Sequence, residues 1–78
     1  MKMNVYSIYD LKGMTYGPTF EYGQDEEAKR FASDLANDPR SLVGRHAADY
    51  VLHRVGAFDN GTGRLIGIKE PDLVVSLS

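Results

Sequence analysis

Two histidines, His46 and His53, are the side chains of this chain best suited to exchanging protons near neutral pH. His46 precedes Asp49 by three residues, a spacing at which a carboxylate can orient an imidazole. A nucleophile to complete such a site is missing, because the chain has no cysteine and no serine in a Gly-x-Ser-x-Gly elbow. We therefore predict that the protein is not an enzyme. His46 is expected in a capped turn, and His53 is expected to pack in the core or in an interface.

Metal and cofactor sites are not predicted either. A zinc site built from cysteine and histidine needs more of these residues than the chain contains. Glu26 and Glu27 are neighbours on a predicted helix, so they point in different directions and do not form a carboxylate pair. Gly61 and Gly63 belong to a predicted hairpin rather than to a phosphate loop that precedes a helix. The sequence thus predicts no catalytic residue, no metal ligand and no cofactor.

Aromatic and basic side chains together are typical of proteins that bind single strands. Rings stack on bases for about 1–3 kcal/mol per base, while cations follow the phosphates. The candidate binding residues are four rings and four cations, Tyr6, Tyr9, Tyr50, Phe58, Lys12, Arg45, Arg54 and Arg64. For each ring the alternative is an ordinary role in packing, and no RNP-type sequence or basic recognition helix is present.

The distribution of charge leaves two functions open. Nine basic and eleven acidic residues give a net charge of −2. Segment 21–38 has six acids and two bases, a net −4, so the other residues have five acids and seven bases, a net +2. A mildly basic sheet can meet phosphates while an acidic helix points away. The acidic total favours the alternative, a protein–protein adaptor or homo-oligomeric scaffold without nucleic-acid contact.

One helix is predicted after residue 24. Asp25 is a suitable N-cap, Glu26 and Glu27 complement the helix dipole, and Pro39 ends the helix because it disfavours helical geometry at Asp38. The apolar stripe of this helix is narrow and consists of Ala28, Phe31, Ala32 and Leu35. Segment 41–49 has room for one further helical turn.

Strands are predicted on both sides of the helix. Segment 4–10 is rich in strand formers, and segment 50–68 predicts a hairpin whose turn is 59–63, since Asn60 and Gly61 both tolerate positive φ. Segment 16–20 contains Gly17 and Pro18, which predicts a loop or a short edge segment. Segment 71–78 is a last strand or an arm that docks on a partner. The fold class is therefore α+β: an antiparallel sheet of three to four strands with one helix on one face.

Both predicted main strands have apolar side chains on both faces, which one narrow helix cannot cover. Each large apolar side chain left in water forgoes about 1.5–3 kcal/mol, a large loss for a single domain of 78 residues. We therefore expect a homodimer or higher homo-oligomer that forms through the sheet or the tail. No membrane segment is predicted, because no apolar run approaches the length of a span.

Several segments resemble the small nonstructural protein of gokushoviruses, single-stranded DNA phages of the microvirus group. The resemblance covers residues 4–65 and lies in the motifs Val5-Tyr6-Ser7-Ile8-Tyr9-Asp10, Tyr16-Gly17-Pro18-x-Phe20, Glu27-Ala28-x-Arg30-Phe31, Asn37-Asp38-Pro39, His46-x-x-Asp49-Tyr50-x-Leu52 and Gly56-x-Phe58-Asp59-x-x-Thr62-Gly63. Ala47 departs from the pattern, in which a proline is expected after the histidine, and the tail after Ile68 has no counterpart.

The resemblance implies a role in phage genome replication or packaging through DNA binding, in the cytoplasm of the bacterial host. The partners that it implies are single-stranded DNA and the replication or capsid proteins of the phage. It supplies no catalytic or binding residues.

Overall fold

Four antiparallel strands and one main helix form the α+β fold that the sequence predicts. The structure, a computed structural model, describes residues 1–78. Its elements are β1 (Lys2–Asp10), β2 (Thr15–Tyr22), α1 (Asp25–Ala36), α2 (Leu42–Arg45), a 3-10 turn (Ala47–Asp49), β3 (Tyr50–Asp59) and β4 (Arg64–Ser76). The strand order is β2-β1-β3-β4, so the first strand and the hairpin strand β3 form the centre of the sheet.

The core lies between α1 and one face of the sheet, which we call the helix side. Tyr6 and Leu52 project from the two central strands and meet Ala28 and Ala32 of α1, and all four residues are fully buried. Alanines at these two positions let the helix approach the sheet closely. Larger apolar side chains close the margins of this core: Ile8, Phe20, Tyr22, Val74, Val75 and Leu77.

The start of α1 differs from the prediction. The helix begins at Asp25, and its N-cap is Gln24, whose side chain makes no capping hydrogen bond. The Asp25 carboxylate instead accepts a hydrogen bond of 2.6 Å from the Tyr6 hydroxyl, which ties the first turn to β1. The predicted end is confirmed, because the helix stops at Ala36 and the Asn37 backbone N–H bonds to Ser33. The extra helical turn expected in segment 41–49 is α2.

Segment 16–20, predicted as a loop or short edge segment, lies within the full edge strand β2. The ladder between β1 and β2 is irregular between Ser7 and Tyr9, opposite Gly17 and Pro18. There the Ser7 hydroxyl donates a hydrogen bond of 2.8 Å to the Gly17 carbonyl. The irregularity lets an edge strand accommodate a proline, which has no N–H to give to a ladder.

The predicted hairpin between β3 and β4 is confirmed, with a different turn conformation. Residues 60–63 form the turn, and only Gly63 has a positive φ, 79°. The Asp59 carboxylate accepts a hydrogen bond of 2.9 Å from the backbone N–H of Gly61 and so stabilises the turn. Farther along β4, Gly67 is opposite Gly56 of β3, and Asp72 is opposite Arg54. Five steps along β4 thus correspond to two steps along β3, so segment 68–71, which includes Pro71, bulges out of the sheet. The tail is therefore the end of a strand.

The second face of the sheet, which we call the open face, carries no helix. Side chains alternate along a strand, so the neighbours of Tyr6 on β1 belong to this face. Val5, Ser7 and Val51 are nevertheless buried there, whereas Leu65 and Leu73 of β4 are 68% and 64% exposed. The need for a second cover is therefore concentrated at β4 and is smaller than the sequence suggests.

Candidate nucleic-acid interface

Three rings meet on the open face and form what we call the aromatic cluster, Tyr9, Tyr16 and His53. They come from β1, β2 and β3, and the register places Tyr9 opposite Tyr16 on one side and next to the β3 residues on the other. Ring centroids are 4.5 Å apart for Tyr9 and Tyr16, 5.6 Å for Tyr9 and His53, and 5.5 Å for Tyr16 and His53. Strand order thus assembles three adjacent rings from distant parts of the chain.

A hydrogen bond fixes the geometry of the aromatic cluster. The Tyr16 hydroxyl lies 2.7 Å from His53 Nδ1. When His53 carries its proton on Nε2, Nδ1 accepts the hydroxyl proton and the Nε2 N–H is left for other partners. The Tyr9 ring is parallel to the His53 ring within 3°. Because the rings are already ordered and partly exposed, a planar ligand can stack on them at a low cost in conformational entropy.

Of the four predicted rings, only Tyr9 belongs to this cluster. Tyr6 is 0% exposed and Tyr50 is 9% exposed. Both rings are too deeply buried to stack on a base, contrary to the prediction that they contact a ligand. Both lie on the helix side, since Tyr6 alternates with open-face residues and Tyr50 with Val51. Phe58 lies toward the hairpin end of the molecule, in a shallow groove beside Val5 and Leu65.

The four predicted cations do not gather around one site. Arg54 is opposite Tyr6 in the ladder, on the helix side, and its Nη2 lies 2.5 Å from Asp72 Oδ2. Arg64 is opposite Asp59 in the ladder between β3 and β4, and the register places both residues on the helix side. Arg45 is exposed at the end of α2, and Lys12 is exposed in the turn that follows Tyr9. Arg54 directly follows His53 along the chain but lies on the helix side, so Lys12, three residues after Tyr9, is the nearest of the other cations along the chain.

The sequence reasoning missed two members of the cluster. Tyr16 belongs to the segment predicted as a loop or a short edge segment, and His53 is predicted to pack in the core or in an interface. The one usable signal is the pair of tyrosines at positions 9 and 16, which flank the turn 11–14 and become cross-strand neighbours if both flanks are strands. Nothing local links His53 to them, because its place beside β1 depends on the strand order.

The strongest electrostatic perturbation lies beneath the sheet rather than on its open face. Burial, and next the hydrogen bond to the Asp25 carboxylate, raise the pKa of the Tyr6 hydroxyl to about 12. The Asn4 side-chain amide donates a second hydrogen bond of 3.1 Å to the Tyr6 oxygen. This phenol is thus a neutral structural group at physiological pH.

Neither a cluster of metal-ligating side chains nor a helix able to span a membrane occurs in the structure. No three side chains of histidine, cysteine, aspartate or glutamate come together as metal ligands. None of the helices combines the length and the apolar composition needed to cross a bilayer. The aromatic cluster remains the most distinctive group of exposed side chains.

Comparison with known proteins finds a matching family model and a relative. The model of the family described as Phage ORF5 protein matches residues 3–78. The chain is 35% identical over 68 residues to Protein ORF5 of Chlamydia phage 1, a microvirus, and the match covers 82% of this chain and 71% of the relative. No solved structure matches. These matches confirm the resemblance to a small phage protein of microvirus type.

Proposed function

Because the chain belongs to the Phage ORF5 protein family, we propose that it acts in the replication or packaging of a single-stranded DNA phage genome by binding that DNA on the open face of its sheet. The observation that carries the proposal is the aromatic cluster of Tyr9, Tyr16 and His53. Its place of action is the cytoplasm of the infected bacterial host.

The dimensions of the aromatic cluster suit a short stretch of unpaired nucleotides. The three ring centroids lie 4.5 to 5.6 Å from one another, so the rings form one compact group on the sheet. Four-stranded sheets with aromatic side chains on an open face commonly stack two or three bases of a single strand. A duplex hides the faces of its bases, so we expect a preference for single strands.

The proposed binding depends less on phosphate contacts than on the stacking of rings. Lys12 lies three residues after Tyr9, whereas Arg54, which directly follows His53, is bound to Asp72 on the other side of the sheet. When the logarithm of the binding constant is plotted against the logarithm of the salt concentration, the slope for a single strand is about −0.7 per neutralised phosphate. With one or two such contacts, we expect a shallow salt dependence.

The test is a titration of a fluorescent oligothymidine with the protein at low salt, followed by anisotropy. Tyr9→Ala and Tyr16→Ala each remove a ring, and we expect the Kd to rise about 5- to 150-fold, the equivalent of 1–3 kcal/mol per lost stack. Tyr16→Phe is the matched control, because it keeps the ring and removes only the hydroxyl. Circular dichroism establishes that each variant is folded.

Two results would refute DNA binding by the cluster. One is the absence of binding by the unaltered protein to oligonucleotides of several sequences at low salt. The other is equal affinity of Tyr16→Ala and Tyr16→Phe.

A second candidate function is a protein–protein adaptor or homo-oligomeric scaffold, which engages further copies or the replication or capsid proteins of the phage. The exposure of Leu65 and Leu73 and the net charge of −2 favour it. In this case Tyr9→Ala and Tyr16→Ala leave oligomeric state unchanged, and no oligonucleotide binds.

A further inference from the structure

His53 is the member of the aromatic cluster whose charge can change near neutral pH, because imidazole side chains ordinarily titrate between about pH 5 and 8. Its Nδ1 lies 2.7 Å from the Tyr16 hydroxyl oxygen. Its Nε2 makes no hydrogen bond within the chain, and no buried side-chain nitrogen or oxygen of the protein lacks a partner. Nε2 is therefore open to solvent and within reach of a ligand.

Both protonation states of His53 are compatible with the hydrogen bond to Tyr16. In the neutral ring that carries its proton on Nε2, Nδ1 accepts the proton of the Tyr16 hydroxyl. When the ring takes up a second proton from solvent, Nδ1 becomes an N–H donor, the hydroxyl oxygen accepts, and the hydroxyl proton turns outward. The charged pair then offers two donors, the Nε2 N–H and the Tyr16 O–H. A phosphate has acceptor oxygens and negative charge, so it binds this charged pair best.

The groups that face His53 carry no charge that opposes its protonation. The Tyr9 ring and Ser7 face it from β1, Tyr16 faces it from β2, and Leu73 faces it from β4. The Tyr9 ring is parallel to it within 3° at a centroid distance of 5.6 Å, so the negative face of that ring attracts a positive imidazole. Protonation thus breaks no contact and brings no like charges together.

A protonated His53 also supplies a positive charge that the open face otherwise lacks. The ladders pair three basic residues, and all three lie on the helix side, Lys2, Arg54 and Arg64. Glu21 is the acidic residue that the ladders place on the open face, and its position is four residues along β1 from Tyr9, or about 13 Å. Exposed charges at physiological salt act over only about 8 Å, so Glu21 does not neutralise His53.

We propose that His53 in its protonated form binds a phosphate of the single strand, so that DNA binding by the aromatic cluster takes up a proton. The inference rests on the proposed function and adds a charged contact to the stacking of the rings. A ligand that prefers the protonated form binds more tightly as the pH falls, by at most tenfold per pH unit for one proton. The gain in affinity ends once the free protein is itself protonated at His53.

The experiment is the anisotropy titration of a fluorescent oligothymidine at pH 8 and at pH 6, each at several salt concentrations. The Kd of the unaltered protein is expected to be about 2- to 5-fold lower at pH 6, the usual worth of a charge pair exposed to solvent. The slope of the logarithm of affinity against the logarithm of salt is expected to become steeper by about 0.7, because one more phosphate is neutralised.

Two matched variants locate the proton. His53→Phe keeps a ring that can stack but cannot take up a proton, and it is expected to have the same Kd and the same salt slope at both pH values. His46→Phe removes the other imidazole, which is exposed at the end of α2, and is expected to keep the full pH dependence. Both variants change the net charge of the protein at pH 6 equally, so their difference isolates the position of the charge. Circular dichroism at both pH values establishes that each variant is folded.

The outcomes separate this inference from the proposed function. Absence of binding at both pH values refutes the proposed function and the role of His53 together. Binding that is equally strong at both pH values, with one salt slope, refutes only the role of His53. A pH dependence that persists in His53→Phe, or one that His46→Phe abolishes, also overturns the inference, since the proton would then be taken up elsewhere.

Discussion

The hydroxyl of Tyr6 is the polar group on which the junction of helix and sheet depends, and Tyr6→Phe removes it while leaving the ring. In the structure this hydroxyl donates to the Asp25 carboxylate at 2.6 Å and accepts from the Asn4 amide at 3.1 Å. The ring itself is fully buried and stacks on Phe20 with centroids 6.0 Å apart. The substitution therefore tests the hydrogen bonds separately from the packing.

The expected loss in the free energy of unfolding is about 2 kcal/mol. A hydrogen bond to a charged group contributes about 1.5–3 kcal/mol and a neutral one about 0.5–1.5 kcal/mol. The sum is reduced because Asn4 and Asp25 are only partly buried and regain water when their partner is lost. For a domain of this size the loss corresponds to a decrease in Tm of about 8–16 °C.

The assay is urea unfolding followed by circular dichroism, with the slope m expected to stay constant while the midpoint falls. Tyr22→Phe is the matched control, since Tyr22 is also packed on the helix side and its hydroxyl makes no hydrogen bond within the protein. A double-mutant cycle with Asp25→Ala is expected to give a coupling energy of about 1–2 kcal/mol.

The reasoning is refuted if Tyr6→Phe destabilises the protein no more than Tyr22→Phe does. A cycle without coupling would show that the Asp25 carboxylate does not stabilise the phenol, whatever the cost of the single change.

Two further predictions concern stability. The pKa of Tyr6 is about 12 in the folded protein and about 10 when the chain is unfolded, so its contribution to the free energy of unfolding is fully present below pH 10 and is lost as the pH rises to 12. After solvent screening of the hydroxyl, we expect this loss to be about 1 kcal/mol and to be absent in Tyr6→Phe. An absorbance titration of the tyrosines near 295 nm should show one late transition. Gly56→Ala is expected to destabilise the protein by about 1–3 kcal/mol, because the new methyl group meets the Ile66 carbonyl oxygen of β4. Its cross-strand partner Gly67 has open space at the same position, so Gly67→Ala is the control for urea unfolding, and equal effects would contradict the clash.

The elements predicted correctly are those specified by neighbouring residues. The apolar stripe and the stop before Pro39 define α1 within the segment itself, and the strand-forming residues around Tyr6 define β1. The hairpin was recognised for the same reason. The dihedral angles of its turn differ from the prediction. The sequence indicates positive φ at Asn60 and Gly61, whereas the four-residue turn of the structure has its positive φ at Gly63.

Elements that depend on distant partners were predicted less well. Strand β2 contains a glycine and a proline that locally oppose a strand, and pairing with the central strand β1 overrides them. Asp25 has the local character of an N-cap, yet its partner is Tyr6, nineteen positions earlier. The aromatic cluster unites Tyr9 with His53, and only the strand order 2-1-3-4 brings them together.

Both outer strands of the sheet carry a proline at an interruption of the ladder, Pro18 in β2 and Pro71 in the bulge of β4. An uninterrupted outer strand offers a row of unpaired amide and carbonyl groups to any passing chain, and such rows seed fibrils. Here each row is broken near its middle by a residue without an amide proton, and Lys69 and Glu70 add charge beside one of the breaks. The two interruptions therefore hinder edge-to-edge pairing between the sheets of neighbouring copies, which is a route to amyloid.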